Sequence, residues 1–87
     1  MDVSMIRPDV VHALDQWAEV GLLPGGFLQA VLSNNLFEAV GRVDDDNGKV
    51  LLYICQYIYN ELPAACHGSP QKMKAWAEMK EKERQSK

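Results

Sequence analysis

The sequence predicts an all-α fold: a small antiparallel helical domain with a short N-terminal helix, two longer packed helices and a short C-terminal helix. Three observations predict it. Apolar residues recur at helical spacing along most of the chain, helix start and stop residues punctuate those stripes, and no segment shows the strict alternation of a half-buried strand.

The first helix is expected from about Pro8 to Val20, because Pro8 suits the first helical position, Asp9 favours the positive end of the dipole and Gly21 supplies the stop. Val10, Val11, Leu14, Trp17 and Ala18 form its apolar stripe, with His12, Asp15 and Glu19 off it. A short connector, Leu22-Leu23-Pro24-Gly25-Gly26, leads to a second helix from about Gly25 to Arg42. Leu28, Val31, Leu32, Leu36, Ala39 and Val40 would be its buried face, and Asn34-Asn35 would kink it. Asp44-Asp45-Asp46-Asn47-Gly48 reads as a capping turn; it resembles half of a calcium loop, but no glutamate follows at the distance such a loop requires.

A third helix is then expected from roughly Asp46 to Leu62, ended by Pro63. It carries one face of Leu51, Ile54, Cys55, Ile58 and Leu62 and a second of Val50, Tyr53 and Tyr57. Two apolar faces exceed what so small a monomer buries, which points to a protomer interface. Ser69-Pro70 starts a last, short helix with Met73, Trp76 and Ala77 as its stripe. Residues 1–79 are thus expected to be a single helical domain, and residues 80–87 a charged, frayed tail.

With 87 residues, 47% of them apolar, the chain makes one domain of modest core, and a homo-oligomer is the expected remedy. Residues 1–70 carry three basic and nine acidic groups, whereas residues 71–87 carry six basic and three acidic ones. The acidic body argues against DNA as a partner, since phosphate contacts need a basic surface. The N-terminus lacks the basic and apolar pattern of a signal peptide and no apolar run is long enough to span a bilayer, so a cytoplasmic protein with no membrane partner is expected. Cys55 and Cys66 have no CxxC partner and read as free thiols.

No enzyme signature is present. Cys66 and His67 are adjacent and so poorly disposed to share one tetrahedral metal ion, and no base or oxyanion hole is placed beside either thiol. No metal, cofactor or catalytic residue is therefore expected. The Pro24-Gly25-Gly26-Phe27 turn differs: two glycines at a helix start leave backbone N–H groups open to an anion, and Phe27 offers a stacking face. On spacing alone the plainer role is favoured, a tight connection with Phe27 filling the core.

The segment Gly21-Leu22-Leu23-Pro24-Gly25-Gly26-Phe27-Leu28-Gln29-Ala30-Val31-Leu32-Ser33-Asn34-Asn35-Leu36 carries a resemblance, as do Gly41-Arg42-Val43-Asp44, Tyr57-Ile58-Tyr59-Asn60-Glu61-Leu62-Pro63 and Cys66-His67-Gly68-Ser69. Together these blocks resemble a widespread family of short phage proteins, and the chain looks similar to the anti-CBASS cyclic-nucleotide sponges of phages. That resemblance implies a hexamer in the cytoplasm of the infected bacterial host. It implies sequestration, without hydrolysis, of a small nucleotide ligand such as a cyclic oligonucleotide or a cyclic ADP-ribose relative. Carried onto this sequence, Gly25 and Gly26 would offer donors to a phosphate, Phe27 a stacking face and Gln29 a polar edge contact. His12 would approach from the opposing helix, while His67 and Ser69 would line a second pocket. No Lys or Arg adjoins the glycines in sequence, so Arg7 or a neighbouring chain would supply the cation. Two other classes stay open: a helical inhibitor or adaptor acting on a host protein, and a helix-turn-helix regulator, whose second helix would be poor in basic residues.

Overall fold

The computed structural model describes residues 3–85 and shows an all-α chain of six helices with two short 3-10 turns, Val3–Met5 and Ala64–Cys66. Helix α1 spans Pro8–Val20. Its last turn closes on Gly21, which adopts the left-handed conformation (φ 75°) and donates its N–H to the Trp17 carbonyl at 3.0 Å. No side chain fits comfortably there, because a Cβ on Gly21 would stand 2.6 Å from that of Lys80.

The expected second helix is two helices. α2 covers Gly26–Leu32 and α3 covers Leu36–Arg42. Asn34 takes φ 65°, a conformation asparagine tolerates better than most residues, and Asn35 caps α3 by accepting the Glu38 N–H at 3.3 Å. The break turns the two apolar stripes out of register. Leu28 and Leu32 remain buried on α2, but on α3 only Ala39 is buried, and Leu36 and Val40 face outward.

The expected third helix is also divided. Asp44 caps α4 (Asp45–Lys49) by accepting the Asn47 N–H at 2.7 Å, as the capping reading required. Val50 then leaves helical geometry (φ −119°, ψ 18°) before α5 (Leu51–Glu61). Both expected stripes of α5 turn inward: Ile54, Tyr57 and Ile58 are buried, and Val50 and Tyr53 pack against the core. Two members of the first stripe depart from this: Leu51 is only half-buried and Cys55 is exposed. The surplus apolar surface of α5 lies on a side formed by Leu52, Cys55 and Tyr59.

α6 spans Pro70–Gln85, the longest helix of the chain rather than a short one. It takes in residues 80–85, expected as a frayed tail; residues 86 and 87 lie outside the described part. Two attachments explain its length. The Trp76 indole N–H donates to the Trp17 carbonyl at 3.2 Å, and Arg84 hydrogen-bonds the Val20 carbonyl at the end of α1. Lys80 lies 5.0 Å from the Trp76 ring centroid, a cation–π contact.

The core is centred on Trp17, which is fully buried with Leu14, Leu32, Ile54 and Cys66. The Trp17 indole N–H donates to the Cys66 carbonyl at 3.0 Å, so the second thiol is a core residue tied to α1. The Gly68 N–H donates to the Leu32 carbonyl at 2.7 Å, holding the loop before α6 against the end of α2. No described helix is long and apolar enough to cross a membrane.

Candidate functional site

The start of α2 lies between two concavities, which divide the residues the sequence singles out. The first, about 300 Å³, is the junction of α1 with the start of α2, and Arg7, Gly25, Gly26 and Phe27 line it. Those four residues are brought together as expected. Arg7, however, is held by two carboxylates, Asp9 at 2.8 Å and Asp44 at 3.5 Å. The hydrogen bond to Asp9 raises the Arg7 pKa and lowers that of Asp9, so both stay ionised. One guanidinium facing two carboxylates leaves this hollow with a net negative charge. Phe27 is half-buried and packs against the core, the plainer of its two expected roles.

A helix of seven residues, roughly two turns, also has only a small macrodipole to offer an anion. Gly25 and Gly26 are exposed, but on the Arg7 side the expected phosphate site has neither a net positive charge nor a strong helix dipole.

The second concavity is larger, about 700 Å³, and runs between the α2–α3 pair and α6. Gly26 and Gln29 line it from α2. Opposite Gly26 stands Arg42, whose Nη1 lies 3.0 Å from the position a Cβ on that glycine would occupy. The cation absent from the glycines in sequence is therefore brought to them from the end of α3. Arg42 also donates through Nε to Glu38 at 2.6 Å, one helical turn earlier. Gln29 is oriented by its own donation to the Pro24 carbonyl at 2.8 Å.

α6 contributes the other wall. Met73 and Ala77 give it an apolar floor, and Lys74, Glu78 and Glu81 add charge. Arginine and lysine at such a wall pair with phosphate oxygens, and carboxylates accept hydrogen bonds from hydroxyl and amine groups. Sequence reasoning missed Glu38, Arg42, Lys74, Glu78 and Glu81. The available signal was the i,i+4 pair Glu38–Arg42 and the polar residues flanking the Met73–Ala77 stripe. Neither showed which helix it would face.

The remaining expected residues stand elsewhere. His12 is exposed on α1 and lines neither concavity. Ser69 caps α6, accepting the Lys72 N–H at 3.1 Å. His67 lines a separate hollow of about 260 Å³ with Cys55 and Tyr59. Its Nε2 is buried without a partner, and burial, aided by Lys72, pulls its pKa below the usual histidine value. Burial likewise pushes both thiols up, which keeps Cys55 and Cys66 protonated. Among the described residues, no three His, Cys, Asp or Glu side chains gather as a metal-binding set. Compared with protein-family models, with curated proteins and with solved structures, the chain gives no match.

Proposed function

We propose that this chain is a phage counter-defence protein that binds and sequesters a nucleotide immune second messenger, of the cyclic oligonucleotide or cyclic ADP-ribose type, without hydrolysing it. The observation that carries this reading is the groove between α2, α3 and α6, with Arg42 over Gly26. It is supported by the resemblance of the glycine-turn block and the three later blocks to short phage proteins.

The chemistry of the groove suits such a ligand. Gly26 has no side chain to keep a phosphate from its backbone, and Arg42 and Lys74 supply positive charge on facing walls. Ala30, Met73 and Ala77 offer apolar surface to a base, and Glu78 and Glu81 offer acceptors to ribose hydroxyls and base amines. Glu38, Glu78 and Glu81 outnumber Arg42 and Lys74, so the groove carries a net negative charge as the Arg7 hollow does, and it differs from that hollow in its second cation and its apolar floor. A cyclic dinucleotide fits that description better than a nucleoside triphosphate does.

A thermal-shift panel of cyclic di- and trinucleotides and cyclic ADP-ribose relatives tests the proposal. A ligand at one hundred times its Kd stabilises the fold by about 2.7 kcal/mol, a rise in Tm on the order of 10 °C or more for a chain this short. Heating the complex should return the ligand intact. A flat response across the panel refutes the reading. The second reading, an inhibitor or adaptor acting on a host protein, is favoured by a specific observation, the exposed apolar side chains of α3 and α5.

A further inference from the structure

We infer that the base held in the groove between α2, α3 and α6 is guanine, read on its pairing edge by Glu78 and Lys74. The inference rests on the reading of that groove as a nucleotide site. Three carboxylates line the groove, and two of them are already engaged. Glu38 accepts from Arg42 Nε at 2.6 Å, and Glu81 is reached by the Gln85 amide at 3.5 Å. Glu78 is exposed on α6 and, among the described residues, its carboxylate has neither an ion pair nor a hydrogen bond. Lys74 lines the same wall one turn earlier, at i,i+4, and is not ion-paired with it. An uncommitted acceptor and an uncommitted donor therefore stand side by side on one helix face.

That pair matches one base. An ionised carboxylate only accepts, and its two oxygens receive two parallel N–H groups, whereas an ammonium only donates. Guanine presents two adjacent donors on its pairing edge, N1–H and the N2 amine, with the O6 acceptor next to them. Adenine turns a lone pair at N1 and an amine at N6 to the same place, so Glu78 would meet a lone pair and Lys74 a donor. Cytosine and uracil offer one donor there. The net negative charge of the groove acts in the same direction, because donors brought to Glu78 offset the repulsion it exerts on the ligand's phosphates. The apolar floor leads to the pair: Met73 and Ala77 form the adjoining stripe of α6, one residue before Lys74 and Glu78. A purine lying on that stripe has its edge beside both groups. Arg42, over Gly26 on the facing wall, is left for a phosphate.

The test is isothermal titration of the full chain with cyclic di-GMP, cyclic di-AMP and cyclic di-IMP, beside GMP and AMP. The base of cyclic di-IMP keeps N1–H and O6 but lacks the N2 amine. Cyclic di-GMP should bind on the order of tenfold tighter than cyclic di-AMP, with cyclic di-IMP between them, since a matched pair of hydrogen bonds discriminates between bases by about that factor or more. Glu78→Gln replaces one acceptor with a donor, so it should remove most of the preference by weakening the guanine ligands. Its circular dichroism should be that of the wild type, because Glu78 is exposed. Cyclic di-AMP binding as tightly as cyclic di-GMP overturns the guanine assignment and leaves the sequestration reading standing. A guanine preference that Glu78→Gln leaves whole overturns the role of Glu78. GMP preferred over AMP with no cyclic ligand bound supports the base assignment and removes the second-messenger reading. Binding of none of these ligands overturns both.

Discussion

Gly21→Ala tests the junction of α1 with α6 most sharply. Gly21 is left-handed at φ 75°, where an L side chain costs about 1–2 kcal/mol. The new methyl would also meet Lys80 Cβ at 2.6 Å and Cγ at 3.2 Å. Since the first contact is with the root of a helical side chain, α6 itself must move, adding about 1–3 kcal/mol by analogy with overpacked cores. The expected loss is therefore about 2–5 kcal/mol, read as a shift in the urea midpoint at constant slope. Gly41→Ala is the control: Gly41 lies within α3 with nothing within 4 Å of its added Cβ, and should stabilise by about 0.5–1 kcal/mol. Hydrogen exchange locates the damage, because amides near residues 80–85 should lose protection first in Gly21→Ala. A loss below about 0.5 kcal/mol, with exchange in α6 unchanged, would refute the packing of α6 against the end of α1.

Four further outcomes are expected. Tyr57→Phe removes the hydrogen bond to Asp15 at 2.5 Å and should cost about 1.5–3 kcal/mol at neutral pH. Burial, together with Asp15, pushes the Tyr57 hydroxyl up to about 12. A folded pKa above the unfolded value near 10 means stability is complete below pH 10 and is lost between about 10 and 12, so a Tm series over that window should fall less steeply in Tyr57→Phe. For His67 the sign is reversed: its pKa is lowered by burial, so its contribution is complete above about 6.5 and is lost as pH falls, and His67→Gln should flatten the Tm profile below that pH. Asp44→Ala removes the α4 cap and one partner of Arg7, with an expected loss of about 0.5–2 kcal/mol in chemical denaturation. Arg42→Ala should abolish the thermal shift by cyclic nucleotides yet change the stability of the unliganded chain by only a few tenths of a kcal/mol, as expected for an exposed i,i+4 pair. An undiminished shift would remove Arg42 from the ligand site.

Local chemistry explains what could be read ahead of the structure. Pro8 and Gly21 bound α1, Asp44 caps α4 and Ser69 opens α6, because each acts through its own backbone or through atoms within one turn. The junction of Arg7 with the glycine turn was also legible as a place. Its electrostatics were not, because the sequence does not show that Asp44, far along the chain, shares Arg7 with Asp9.

By itself, then, the sequence determined the all-α class, the ends of α1, the caps of α4 and α6, and the inward stripe of α1 with most of that of α5, since helical period and capping are properties of neighbouring residues. Tertiary structure alone decided three things. A single asparagine at φ 65° turned the α3 stripe outward, leaving Leu36 and Val40 uncovered where the pattern placed them in the core. The same reorientation carried Arg42 back over Gly26, giving the glycines a cation from sixteen residues away. α6 reached Gln85 because Gly21 lets it approach and the carbonyls at the end of α1 accept from Trp76 and Arg84. Each depends on where a rigid helix is aimed after a break, a direction that one backbone dihedral sets and that residue spacing does not encode.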